Sequence, residues 1–248
     1  MKTNVDIVVS IVIPCLNEAG VVERLLHQLT DTPHEAVEVI AVDNGSSDTT
    51  LQILASFRSK GVIVVSDIPE GVSKARNAGA RVARGEWIVF LDADTLLPPN
   101  FTVDLLAVLN HNAKFDLAVL AYKAKTNNIF FKILTTFAQA YQRVLFVLLR
   151  RPLTPGSVTV VRRSLHKKVK GYDESIRYNE DFEYAARVFQ ASPKFKSLRK
   201  PYVYFSTRRL ERGGWKKVVS TYLRAEYARL RGEKYDPESY DMSDHSMK

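Results

Sequence analysis

Asp92 and Asp94 stand two residues apart in GEWIVFLDADTLLPP (85–99), at the end of an apolar run and just before a Pro-Pro stop. Two carboxylates at a strand-to-turn junction can face one cation or reach its water shell. A divalent ion held there would neutralise a ligand's diphosphate, which two bare carboxylates would repel. The competing chemistry is local: Asp94 or Thr95 can cap a turn, and Asp92 can accept backbone donors. An isolated Asp-Ala-Asp does not choose between them. Two further polar clusters at strand ends, Pro14-Cys15-Leu16-Asn17-Glu18 and Asp43-Asn44-Gly45-Ser46-Ser47-Asp48, shift the balance towards metal binding.

Asp43 closes an apolar run, where its carboxylate can accept a base-edge N–H such as the imide of uracil. Asx-turn and capping chemistry suffices for Ser47 and Asp48. In EGVSKARNAG (70–79), Lys74 and Arg76 fall in the first turn of a helix expected after Gly71. Cations there oppose the helix dipole at a cost of about a few tenths of a kcal/mol each, which an anionic ligand can offset. Helix-terminal amides with Arg76 would suit a nucleotide, and solvated helix surface is the plainer reading. Downstream, Glu180 and Asp181 open a helix in GYDESIRYNEDFEYAAR (171–187). A carboxylate there can take the proton of an attacking hydroxyl. Helix-start charge preference explains acidic residues equally well, and the residues alone do not choose Asp181 over Glu180.

These groups need a scaffold that aims strand ends at one place. The periodicity predicts strands over 7–13, 37–42, 62–66 and 87–91, alternating with helices over 19–29, from Ser47 or Asp48 to 60, and over 73–84. That βα succession implies a parallel sheet covered by helices, whose ligands bind outside the carboxyl ends of the strands. Gly79 inside the third helix suggests close approach of helix to sheet. Beyond Pro98 and Pro99 the pattern predicts helices over 101–110, 128–149 and 180–190, strands over 117–122, 157–161 and 202–205, and a last helix over 214–231. No Ser/Gly linker or internal repeat divides the chain.

The 248 residues carry 36 Lys and Arg against 27 Asp and Glu, a formal net charge of +9 that favours anionic partners. The single cysteine, Cys15, excludes an intrachain disulfide and a cysteine-based zinc site, and the five His form no spaced metal motif. A reducing compartment follows as the expectation: the cytoplasm, or the cytoplasmic face of a membrane. The amino-terminal run reads as a first strand rather than a signal peptide, and Lys132, Gln139, Gln142 and Arg143 interrupt the one stretch of near-membrane length. Phosphate-loop, dinucleotide and nucleophile-elbow motifs are absent from the sequence.

Five blocks, VSIVIPCLNE (9–18), VIAVDNGSSDTT (39–50), EGVSKARNAG (70–79), GEWIVFLDADT (85–95) and GYDESIRYNEDFEYAAR (171–187), closely resemble family 2 glycosyltransferases. The resemblance implies a GT-A fold, with a Rossmann-like, mostly parallel central sheet flanked by helices. It further implies inverting transfer of a sugar from a nucleotide-diphosphate donor, UDP favoured, to an acceptor hydroxyl on a lipid-linked or cell-envelope glycan. By position, Pro14, Asn17 and Glu18 would line the nucleotide cleft, Asp43 would contact the base, and Lys74 and Arg76 would lie near the nucleotide. Asp92, Ala93 and Asp94 would border the donor, with Mn²⁺ or Mg²⁺ on Asp94 and Asp92. Asp181 would be the catalytic base, supported by Glu180.

Many relatives carry a histidine after the last core strand, where this chain has Ser206 and Thr207; Arg208 and Arg209 would then share the diphosphate's charge. The expected organisation is one domain over 1–205, with a nucleotide-binding half over 1–99 and an acceptor half over 100–205, followed by a basic helical extension and polar tail over 206–248. Peripheral association with an anionic membrane fits the apolar 128–149 helix and the basic extension. The alternative is a basic nucleic-acid-binding protein or a catalytically silent relative. No nucleic acid is expected as a partner, because an acidic crevice would repel its backbone.

Overall fold

β-branched and aromatic residues build the four strands that open the chain: β1 (Val9–Cys15), β2 (Val37–Asp43), β3 (Ile63–Val65) and β4 (Trp87–Phe90). The structure, a computed structural model, describes residues 6–109, 113–126, 128–150, 152, 158–176 and 178–205, together with 220, 224, 227 and 231. Helices α1 (Val22–Thr30), α2 (Thr50–Ser56) and α3 (Val72–Val82) alternate with these strands. Then follow α4 (Phe101–Val108), β5 (Leu117–Ala124), α5 (Ile129–Leu149), β6 (Thr159–Arg162), α6 (Arg163–Lys168), α7 (Glu180–Ala191) and β7 (Phe195–Phe205).

The seven strands form one sheet in the order β3-β2-β1-β4-β6-β5-β7. All run parallel except β6, which pairs antiparallel with both β4 and β5. The carboxyl ends of β1, β2, β4, β5 and β7 therefore share one edge. Alternate residues of β1 serve the two faces: Ile11 and Ile13 pack with Leu25, Leu26 and Phe101, while Val12 packs with Ile40, Phe90 and Tyr184. Burial of both faces is what a parallel sheet under helices requires. Gly79 lies against the sheet so closely that a Cβ there would overlap Val12 and lie 3.1 Å from Val42 Cγ2. The close approach expected from the sequence is present.

Element boundaries depart from expectation where side chains serve another purpose. Helix α2 begins at Thr50, because Asp48 Oδ1 accepts the Thr50 N–H at 2.9 Å while Ser47 donates to Asn17 instead. Helix α3 begins after Gly71 with no side-chain cap, and Ser73, expected as the cap, is buried with its hydroxyl lacking a hydrogen-bond partner. Strand β7 is seven residues longer than the 202–205 expected, because β5 pairs with it in two stretches on either side of an irregularity between Val119 and Ala121. Helix α6 was not foreseen; its six residues hold too few apolar positions for a periodic signal. Of the last helix expected over 214–231, only Ser220, Arg224, Tyr227 and Arg231 lie among the described residues.

Behind the site edge, Tyr172 and Tyr184 stack at 3.9 Å between ring centroids, and His166 Nδ1 lies 2.7 Å from the Tyr184 hydroxyl. Burial, with Arg187 and Lys167 adding to it, pushes the His166 pKa down to about 4. The folded imidazole thus stays neutral where the unfolded one takes a proton. Its stabilising contribution is complete above about pH 6.5 and is lost as the pH falls from there towards 4, up to roughly 3 kcal/mol. Urea denaturation across that window should show the loss, and His166→Phe should flatten it.

Candidate active site

Register places two carboxylates around the end of β1. Cys15 pairs with Asp43 on β2, while Val12 pairs with Phe90 on the other side, two residues before Asp92. Asp43 and Asp92 thus lie one strand to either side of the Pro14-Cys15 segment. The Cys15 thiol registers this, its pKa pushed well up by burial and then by Glu18, Asp43 and Asp92.

Two loops after β1 and β2 are laced together. Asn17 has φ +55°, its Oδ1 accepts Ser47 N–H at 2.8 Å, and its own N–H donates to Ser46 Oγ at 3.0 Å. Glu18 N–H donates to Thr50 Oγ1 at 2.8 Å, and Ala19 N–H to Asp48 at 3.2 Å. In the amide orientation that satisfies both groups, Asn44 donates to Pro69 O at 2.9 Å and accepts from Gly71 N–H at 3.0 Å, which ties the β2 end to the approach of α3. Pro14, Asn17 and Glu18 therefore sit on a braced rim.

Asp43 is buried, and only its Oδ2 is used locally, accepting Gly45 and Ser46 N–H at 3.3 Å each. Its Oδ1 has no hydrogen-bond partner. A buried carboxylate oxygen in that condition is costly unless something donates to it.

Strand β4 stops at Phe90, and residues 92–95 form a turn in which Thr95 N–H donates to Asp92 O at 3.0 Å. Alternation along a strand therefore does not extend through Asp92 and Asp94; the turn sets their directions. Ala93 points into the core, while both carboxylates remain partly exposed. Among the described residues no group of three or more His, Cys, Asp or Glu is arranged to hold a metal. The pair still suits Mg²⁺ or Mn²⁺. Such hard ions are commonly bound by one or two carboxylates together with substrate phosphates rather than by an all-protein cage. Ser206, Thr207, Arg208 and Arg209 lie outside the described residues.

Arg76 sits in the second turn of α3, deep in the protein, rather than in the solvated first turn the sequence suggested. It is 4% exposed, and its guanidinium donates to Glu180 Oε1 at 2.7 Å and to Asp92 Oδ1 at 3.3 Å. The Tyr172 ring lies 5.2 Å from it. Burial alone would lower the Arg76 pKa, but Tyr172, Glu180, Asp92 and Asp181 outweigh it and hold the group more firmly charged than usual. Lys74 remains in the first turn at intermediate exposure, three residues beyond Gly71.

Glu180 and Asp181 open α7, where carboxylates favour the dipole. Asp181 Oδ1 accepts its neighbour Phe182 N–H at 2.8 Å. The segment that leads into α7 is fastened by Asn77 of α3 and Arg187 of α7. Asn77 donates to Tyr172 O and Glu174 Oε1, both at 2.9 Å, and accepts Tyr172 N–H at 2.8 Å. Arg187 pairs with Glu183 and donates to Val169 O at 2.6 Å and Gly171 O at 2.8 Å. Gly171, at φ +72°, leaves no room for a Cβ beside Asn77 Oδ1. Sequence reading passed over Asn77, Tyr172 and Arg187. The available signal was Asn77, a helix-disfavoured residue among the alanines of α3's inner face.

Removing the guanidinium would leave two carboxylates facing each other. Arg76→Met should lower unfolding free energy by roughly 3 to 5 kcal/mol, as for other broken buried pairs. The nearly buried Glu180 arm carries most of this, since the Asp92 side chain is 44% exposed and screened by water. Urea denaturation of the two proteins measures it.

The comparisons give the family and the fold. The description "Glycosyl transferase family 2" matches residues 10–170, well over half of the chain. An uncharacterised glycosyltransferase of Haemophilus influenzae is 25% identical over 205 residues, covering 81% of this chain and 69% of its own. The poly(ribitol-phosphate) beta-N-acetylglucosaminyltransferase TarS of Staphylococcus aureus is 26% identical over 206 residues, but this chain spans only 35% of it. Among solved structures, TarS residues 1–349 superpose with a TM-score of 0.65 at 20% identity, covering 81% of this chain and 60% of that one. The mannosyltransferase PcManGT of Pyrobaculum calidifontis, solved with GDP-Man and Mn²⁺, gives 0.66 at 18% identity over 96% of this chain and 68% of its own. The fold is GT-A, and the chain belongs to glycosyl transferase family 2.

Proposed function

We propose that the protein transfers a sugar with inversion from a nucleotide-diphosphate donor, UDP favoured, to a hydroxyl of a lipid-linked or cell-envelope glycan acceptor. The observation that carries this reading is Arg76. One buried guanidinium reaches Asp92, next to the metal-suited Asp94, and also Glu180, next to Asp181. That shared guanidinium supports a single site for the donor-side and acceptor-side carboxylates. The partnerless Oδ1 of Asp43 supports a pyrimidine imide as the group recognised at the cleft's inner end. Pro14, Asn17 and Glu18 line its rim, and Lys74 with the α3 amides faces the anionic part of the donor. The TarS fragment is also known with UDP and with UDP-GlcNAc, which favours the same donor class here.

Asp94 and Asp92 would hold Mn²⁺ or Mg²⁺, which when bound offsets the charge of the leaving diphosphate. Asp181 accepts the proton of the acceptor hydroxyl as that oxygen attacks the anomeric carbon from the face opposite the diphosphate. Glu180, held by Arg76, keeps the start of α7 in place for this transfer. Arg208 and Arg209 are proposed as further diphosphate contacts.

The test is a thermal-shift screen of UDP- and GDP-sugars with and without Mn²⁺. A UDP-sugar that raises the melting temperature only when Mn²⁺ is present is expected. Stabilisation by a GDP-sugar alone would reassign the base, and no stabilisation by any donor would overturn the reading.

A further inference from the structure

Helix α5 is oriented the wrong way round for an ordinary surface helix. Its inner face carries Thr135, Gln139 and Gln142 beside Phe131 and Phe146. Gln139 Nε2 donates to Tyr122 O at 2.7 Å, and the Tyr122 hydroxyl donates to Gln142 Oε1 at 3.2 Å, so polar side chains dock the helix on β5. The outer face presents Ile129, Ile133, Phe137, Val144 and Val147, each more than half exposed. These recur at helical spacing and form one apolar stripe, with exposed Lys132, Arg143 and Arg150 along one flank. An apolar face of this length on a monomer marks an interaction surface.

Charge selects the occupant. From Leu117 to Tyr172 the chain contains eleven Lys and Arg and no Asp or Glu. The whole net charge of +9 therefore resides there, the remainder having 25 basic against 27 acidic residues. A second copy seated on the stripe would bring Lys132, Arg143 and Arg150 against their own counterparts, and α5 itself carries no Asp or Glu to offset them. The chain's own segment 206–231 is no better complement, with eight Lys and Arg against two Glu. An anionic lipid surface accepts both the apolar stripe and the flanking cations. No helix of the described residues is long and apolar enough to cross a membrane. Helix α5 starts five residues after β5 ends at the site edge.

We infer that α5 is a membrane-surface helix, which lies in the headgroup region of an anionic bilayer with the Ile133-Phe137-Val144-Val147 stripe immersed and Lys132, Arg143 and Arg150 on lipid phosphates. This deepens the lipid-linked acceptor proposed above and rests on that reading for its purpose, although vesicle binding itself requires no donor. The test is co-sedimentation of the full chain with phosphatidylglycerol/phosphatidylcholine vesicles and with pure phosphatidylcholine vesicles at low and high salt. Binding to the anionic vesicles alone, weakened by salt, is expected. Phe137→Asp and the pair Lys132→Glu/Arg143→Glu should each reduce partitioning by about tenfold or more, with unchanged circular dichroism and melting temperature.

No binding to anionic vesicles at low salt would overturn the inference. So would binding that the α5 variants leave intact, which assigns it to another segment. A concentration-dependent dimer dispersed by Phe137→Asp, without vesicle binding, would assign the stripe to a second copy. Donor-dependent thermal shifts on the same samples separate the two readings: loss of vesicle binding with donor binding intact removes only the docking surface, and the converse removes only the transferase.

Discussion

Asp181→Asn is expected to lower transfer turnover by roughly two to four orders of magnitude while leaving donor-induced thermal stabilisation unchanged. The amide keeps the shape of the carboxylate and can still accept the Phe182 N–H that the Asp181 side chain accepts at 2.8 Å. It cannot take a proton at neutral pH. The loss should therefore fall on kcat with acceptor present, and not on donor affinity. Steady-state rates with saturating donor and varied acceptor measure it; turnover within about threefold of wild type would remove Asp181 from the base role. Glu180→Gln is a useful contrast. Its carboxylate is held by Arg76 at 2.7 Å, so its loss should appear chiefly as lowered stability.

Asp94→Ala is expected to remove metal-stimulated transfer, a loss of about a thousandfold or roughly 4 kcal/mol, with little change in melting temperature of the unliganded protein. The asymmetry with Asp92 follows from the geometry. Asp92 accepts from the buried Arg76 and so links the turn to α3 besides any ligand, whereas Asp94 is the partly exposed carboxylate that follows the buried Ala93. Asp92→Ala should therefore affect both turnover and stability. Rates with and without added Mn²⁺ for both variants, beside their urea curves, distinguish the two positions.

Much of the scaffold was legible because the parallel half has near-continuous apolar strands separated by helices with clean 3.6-residue periodicity. The apolar stripe Val22, Leu25, Leu26 and Leu29 and the close approach of Gly79 are local patterns, and both occur as read. Strand β7 was read at less than half its length because FKSLRKP mixes Lys and Arg with a proline, and only pairing with β5 makes it a strand. The candidate acidic residues stood out because carboxylates at strand ends and helix starts are conspicuous. How they are joined was not. Arg76 read as a nucleotide contact or as helix surface, and its carboxylate partners went unseen because they lie 16 and 104 residues away and only the closed fold brings them together. Asn77, Tyr172 and Arg187, which fasten the segment leading into α7, make long-range contacts of the same kind.

We propose that the site holds a nucleotide diphosphate through a divalent ion shared between the two turn carboxylates and the donor. Two carboxylates, with no third ligand grouped beside them among the described residues, should bind the ion weakly alone and tightly only with phosphate oxygens present. Electron paramagnetic resonance of Mn²⁺ measures this directly, through the free-ion signal on titration with protein in the presence or absence of UDP. Little loss of signal is expected with protein alone, strong loss when UDP is added, and recovery of the signal with Asp94→Ala. Binding of Mn²⁺ that is indifferent to UDP, or that survives Asp94→Ala, would contradict it.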